Sequence, residues 1–178
     1  MSNDEKLRVV YDCNVLLVAA AKEHSTAAAC LWLARSGHVR LFLSSDVLEE
    51  LADVLNRPKV RNVFATLTDE LVSSFLHQLQ TFGEFIHSVP KKFTYSRDKD
   101  DEQYVNLAGA VDAHFLVSRD KDLLSLNTGY SDECKQFRQQ FRPLKVIEPL
   151  DLLRHIAQMR NITVEELRIE QKQESETS

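Results

Sequence analysis

Short β-branched and aromatic runs alternate along the chain with stretches whose apolar residues recur at helical spacing. Leu7 to Tyr11 (L-R-V-V-Y) predicts a strand that ends at Asp12. Val15 to Ala21 and Ala27 to Ser36 predict helices, the second closed by Gly37, a helix-stop signal. Val39 to Leu43 predicts the next strand, and Ser44-Ser45-Asp46 offers caps for the helix after it. Val47, Leu48, Leu51, Val54 and Leu55 then fall on one helical face up to Asn56, before Pro58 ends the pattern. Further along, Asp69 to Phe82 predicts a helix, Phe85 to Val89 a strand, Asp100 to Val111 a helix and Phe115 to Ser118 a strand. Leu144 to Ile147 predicts the last strand, and Pro149 opens a helix reaching Met159.

Such alternation predicts an α/β fold around a mainly parallel sheet of about five strands. Neither an internal repeat nor a linker is visible, so residues 1–160 read as one domain. Residues 161–178 are charged and apolar-poor, and are expected to fray or to await a partner.

Composition narrows the class. With 43% hydrophobic and 28% charged residues the chain is a globular protein able to bury its own core. Three cysteines without a C-x-x-C pair argue against a zinc ribbon or a disulfide scaffold and for a reducing compartment. Met1 to Arg8 lacks the apolar core of a secretory signal, and no apolar run approaches the ~20 residues of a membrane span. A cytoplasmic protein is expected. The formal net charge of -5 opposes nucleic-acid binding, but carboxylates that hold cations are neutralised when loaded. Lys91, Lys92, Arg97 and Lys99, and again Arg119 and Lys121, place cations close to the acidic stretches.

The acids stand where the strands end. Asp12 follows the first strand, Ser44 the second with Glu50 six residues on, and Asp120 comes just past Ser118 with Asp122 beyond it. Asp98, Asp100 and Asp101 head the helix before that strand. In parallel sheets, ligands gather outside the carboxyl ends of the strands, so these acids are expected on one edge. Clustered carboxylates repel, and a divalent cation relieves the repulsion; all-oxygen donors select Mg²⁺ or Mn²⁺ over zinc.

Plainer roles compete with this one. Asp12 and Ser44 can cap helices, Asn14 can satisfy turn backbone, and Asp98 and Asp122 read as turn or cap residues. At about 100° per residue Glu50 flanks the apolar stripe of its helix while Glu49 points away. Periodicity does not choose between Asp100 and Asp101. Trp32 reads as core. The six histidines lack H-x-x-x-H or H-E-x-x-H spacing, the serines lack a G-x-S-x-G elbow, and four glycines form no phosphate loop.

Four stretches together resemble the PIN-domain family: V-V-Y-D-C-N-V-L-L (Val9 to Leu17), L-F-L-S-S-D-V-L-E-E-L (Leu41 to Leu51), R-D-K-D-D-E-Q-Y-V-N-L-A (Arg97 to Ala108) and F-L-V-S-R-D-K-D-L-L (Phe115 to Leu124). The likeness covers roughly Leu7 to Ala157 and is nearest to the VapC-like toxins of toxin–antitoxin pairs. It implies a three-layer α/β/α sandwich and a metal-dependent endoribonuclease acting on single-stranded RNA. By position it implies Asp12, Glu50, Asp101 and Asp120 as catalytic ligands of Mg²⁺ or Mn²⁺. Asn14, Ser44, Ser118, Asp100 and Asp122 would support them, and Arg97 and Arg119 would position substrate. A cognate antitoxin and a homodimer are the partners implied. Cys13 and Ser118 stand where the family more often has Thr.

Two enzyme-or-binder alternatives remain at this level. A haloacid-dehalogenase-type phosphohydrolase also places Asp after its first strand, but needs a second Asp where this chain has Asn14. A PIN fold that only binds RNA or protein would not need four mutually repelling acids. A phospho-receiver domain, the third comparison, has adjacent acids before its phosphorylated Asp and is shorter.

Overall fold

The structure is a computed structural model that describes residues 6–177. Five strands form one all-parallel sheet: β1 (Leu7–Tyr11), β2 (Val39–Ser44), β3 (Glu84–Ile86), β4 (Phe115–Val117) and β5 (Lys145–Ile147), in the spatial order β3-β2-β1-β4-β5. β1 is central and pairs with both β2 and β4, with Val9 beside Leu41 on one side and Phe115 on the other. Its apolar run is nearly unbroken because both faces of a parallel sheet are covered: Val9, Val10 and Tyr11 are fully buried. The Tyr11 hydroxyl donates to the Cys30 carbonyl at 2.8 Å, so its one polar atom is satisfied.

Helices α1 (Cys13–Ala21), α2 (Thr26–Arg35), α3 (Ser45–Asn56), α4 (Pro58–Val63) and α5 (Asp69–Phe82) come from the β1-to-β3 half of the chain. Helices α6 (Glu102–Ala110), α7 (Lys121–Ser125) and α8 (Asp132–Gln140) come from the crossovers to β4 and β5. They are followed by α9 (Pro149–Met159) and α10 (Val164–Thr177). α6 lies across β1, β2 and β4, and α2 packs on β2 and α9. The sheet with flanking helices is the architecture the sequence predicts.

The chain builds the sheet outward from β1 in one direction through β2 and β3, then returns to place β4 and β5 on the other side. The order therefore reverses between β1 and β4. Crossovers leave that pair on opposite faces and open a crevice at its carboxyl ends.

Several elements differ from the sequence reading. α4, α7 and α8 have no strong apolar stripe; in α8 only Cys134 and Phe137 are buried, and the Ser131 hydroxyl caps it. β3 starts at Glu84, where an Arg40–Glu84 ion pair at 2.6 Å ties it to β2. The largest difference is the C-terminal tail. Instead of fraying, residues 164–177 form α10, docked on α2 and α9. The attachment is mostly polar, which apolar density does not reveal. Thr163 and Glu166 form a reciprocal capping box (2.7 and 3.1 Å), and Leu167 is fully buried. Trp32 Nε1 and Ser36 Oγ donate to Glu174 at 2.7 and 2.8 Å, and Arg168 donates to the His24 carbonyl at 2.7 Å.

The outer edge of the sheet at β5 is occupied by a side chain. The Asn127 amide donates to the Val146 carbonyl at 2.6 Å and accepts from its N–H at 3.0 Å.

Candidate active site

The crevice between β1 and β4 is bridged by side chains. Asp12 leaves the end of β1 still on the ladder, its N–H donating to the Val117 carbonyl at 3.1 Å. Its carboxylate then serves two neighbours. Oδ1 accepts from the Val15 N–H at 2.8 Å and caps α1, while Oδ2 accepts from the Ser118 hydroxyl at the end of β4. Cap and site candidate are thus the same residue. Asp12 is 4% exposed, and burial pushes its carboxyl up to about 6 against the two hydrogen bonds, with the charges of Asp120 and Glu50 adding to the rise.

Ser118 is fully buried and also accepts from the Asp120 N–H at 2.9 Å. Asp120 in turn caps α7, accepting from the N–H groups of Asp122 (2.7 Å) and Leu123 (3.1 Å). One hydroxyl therefore links the acids of both strands.

Glu50 enters from α3. It is half-buried while Glu49 is exposed, as the periodicity predicts. Tyr104 Oη and Gln103 Nε2 (2.7 Å) both donate to Glu50 Oε2. Burial raises its carboxyl above the usual range, the Tyr104 hydrogen bond opposes this, and the charges of Asp100 and Asp98 add to it. Arg57, in an ion pair with Asp53 at 2.6 Å, is near enough to lower it again.

At the start of α6 the geometry separates the two adjacent acids. Asp100 is exposed, whereas Asp101 is turned inward. Asp101 holds the N-cap position but makes no cap hydrogen bond, and its Oδ2 is buried without a partner. Burial first, then the charges of Asp98, Asp120, Asp12 and Asp122, push its carboxyl up to about 7. An N-cap Asp that declines the helix N–H groups next to it is unusual.

The remaining residues singled out by sequence are less central. Asn14 is exposed on α1, and Ser44 is a buried cap of α3 that accepts from Val47 at 3.3 Å. Arg97 is exposed and paired with Asp122 at 3.1 Å, and Arg119 is exposed and donates to Thr26 at 2.8 Å. Sequence reading missed Tyr104 and Gln103. The available signal was Glu50 itself, since a half-buried carboxylate requires donors and α6 carries a tyrosine on its buried side.

Asp12 thus feels the charges of Asp120 and Glu50, and Asp101 those of Asp120 and Asp12; donors hold Asp12, Glu50 and Asp120, whereas Asp101 Oδ2 has none. Among the described residues no three His, Cys, Asp or Glu side chains close into a metal cage. The donor chemistry nonetheless fits a hard divalent cation. Every candidate donor is oxygen, and the orphaned Asp101 Oδ2 faces a field of like charge that a cation would relieve.

An all-parallel sheet with carboxylates gathered at its switch-point crevice defines an α/β protein with an acidic site. The family model of the PIN domain matches residues 8–122, from β1 to the first turn of α7, and the chain belongs to the PIN-domain family. PIN domains are generally nucleases, and the match includes Asp12, Glu50, Asp101 and Asp120. None of the curated proteins and none of the solved structures matches the chain. No helix among the described residues is long and apolar enough to cross a membrane.

Proposed function

We propose that the chain is a divalent-metal-dependent endoribonuclease that cleaves single-stranded RNA. The supporting observation is the pairing of a buried, hydrogen-bonded Asp12 with an inward-facing Asp101 whose Oδ2 has no donor. Asp12, Glu50, Asp101 and Asp120 are the residues that would hold Mg²⁺ or Mn²⁺. Such an ion supplies a more acidic bound water and charge stabilisation at the phosphate.

The chain's own part is placement. Ser118 and the Val15 N–H fix both oxygens of Asp12, and Tyr104 and Gln103 fix Glu50. Ser118 also sets the turn that presents Asp120. Cys13, at the head of α1, is a poor nucleophile, since burial above all pushes its thiol up to about 12.

The proposal extends to a cytoplasmic toxin of a toxin–antitoxin pair, controlled by a cognate antitoxin and able to form a homodimer. Support for the toxin role is the four-motif resemblance, and co-purification with the product of an adjacent gene tests it. A second reading is a PIN-fold module that binds RNA or protein without cleaving it; among the described residues no three candidate ligands close into a cage.

One assay separates the two. With Mn²⁺ we expect cleavage of unstructured RNA that EDTA abolishes and Asp12→Asn removes by at least about a hundredfold. Binding without cleavage in the parent protein would leave the second reading. Equal cleavage by parent and variant would take Asp12 out of the chemistry.

A further inference from the structure

Beside the acidic crevice lies a cavity of about 120 Å³, bordered by Ser44, Gln103, Asn106, Lys91 and Lys99. Gln103 belongs to both places, since its amide holds Glu50 while its side chain lines this cavity. We propose that Lys91 and Lys99 form a subsite for a backbone phosphate of single-stranded RNA, one step along the strand from the acids. This rests on the nuclease reading and adds to it a specific route by which a polyanion approaches a negatively charged site.

The electrostatic problem is concrete. The chain carries a net charge of -5, and its crevice gathers carboxylates whose charges already disfavour one another. Besides the divalent ion that would offset these acids, basic side chains beside the crevice strengthen the docking of a polyanion. Of the sequence-derived candidates, Arg97 is paired with Asp122, whereas Arg119 donates to the neutral Thr26 hydroxyl and keeps its charge, which leaves a role for further cations beside the acids. Lys91 and Lys99 are exposed, and among the described residues neither is in an ion pair although Asp46 and Glu102 line the same cavity. Glu102 is occupied by the Tyr95 N–H at 2.8 Å, and Asp46 sits in the first turn of α3.

The segment bearing both lysines is held in place. It has no strand partner, so side chains satisfy its backbone. Asn106 Oδ1 accepts from Lys92 (2.8 Å) and Phe93 (2.9 Å), and Asn106 Nδ2 donates to the Phe93 carbonyl at 3.0 Å. Phe93 and Tyr95 anchor it in the core. At its far end the Lys99 carbonyl accepts from the Glu102 N–H at 3.3 Å, two residues before Asp101. The ammonium stems therefore start from fixed points, and only side-chain freedom is lost on binding.

Fluorescence anisotropy of a labelled 12-nucleotide unstructured RNA tests this, with Asp12→Asn as the uncleaving parent. Adding Lys91→Ala or Lys99→Ala is expected to weaken binding about three- to tenfold and to flatten log K against log salt by about 0.7 each. Lys99→Arg should restore both, and Lys172→Ala on α10 should change neither. An unchanged salt slope in the Lys91→Ala/Lys99→Ala double variant overturns the proposal. In the cleaving protein the double variant should raise KM while kcat holds. If the unsubstituted protein fails to cleave, yet the slopes differ as stated, the nuclease reading fails and the phosphate subsite stands.

Discussion

The Ser118 hydroxyl donates to Asp12 Oδ2 and so ties the end of β4 to the end of β1 across the switch-point crevice. The same oxygen accepts from the Asp120 N–H, which makes it the shared support of two acids. We expect Ser118→Ala to lower cleavage about 10- to 100-fold, the range seen for groups that orient metal ligands. It should also cost about 1–3 kcal/mol of stability, because a buried carboxylate oxygen loses its donor. Steady-state kinetics and a denaturant titration measure the two; unaltered kinetics would show that the bridge is only structural.

The raised carboxyls predict a particular pH dependence in EDTA. Asp12 and Asp101 stand at about 6 and about 7 when folded, against 3.8 for an ordinary Asp carboxyl. The folded protein therefore binds protons more readily than the unfolded chain. Their stabilising contribution is complete below pH 3.8 and is lost as pH rises through 6 to 7. Asp12→Asn, which cannot ionise, should be the more stable protein at pH 8, by up to about 3 kcal/mol, and close to the parent at low pH. Mn²⁺ should raise the parent's Tm more at pH 8 than at pH 5. Melting curves in which the parent gains on the variant as pH rises would contradict this.

Adjacent acids should behave differently. Asp100 is exposed while Asp101 is turned inward, and Glu49 is exposed while Glu50 is clamped. Asp100→Asn and Glu49→Gln are expected to retain cleavage within about threefold; Asp101→Asn and Glu50→Gln should lose at least about a hundredfold. Comparable losses in all four would mean that bulk negative charge, not placement, matters.

Tyr104→Phe removes one of the two donors to Glu50 and leaves the ring in the core. We expect the Mn²⁺ concentration for half-maximal activity to rise about tenfold while saturated activity changes less. A fall in saturated activity with no change in Mn²⁺ dependence would assign Tyr104 a different role.

Strand ends made much of this site legible in the sequence. Asp12, Ser118 and Asp120 follow directly from where β1 and β4 stop, and helical phase separates Glu50 from Glu49. Phase fails at Asp100 and Asp101 because the choice there depends on the turn from Lys99 to Glu102, a backbone event without a periodic signature. Tyr104 carries no separate signal because it is core, with only its hydroxyl at work. α10 was missed for a related reason: its grip on Trp32, Ser36 and His24 is made by charged residues that composition counts as solvated.

Asn127 gives the sheet a finished margin. With both backbone groups of Val146 already taken by its amide, a further strand laid beside β5 would find no hydrogen bonds to exchange at the middle of that strand. Self-association of this chain by growth of the sheet on that side is thereby blocked at its centre. A second copy would have to meet it through helices or at the β3 margin, and Asn127→Ala would reopen the route now closed.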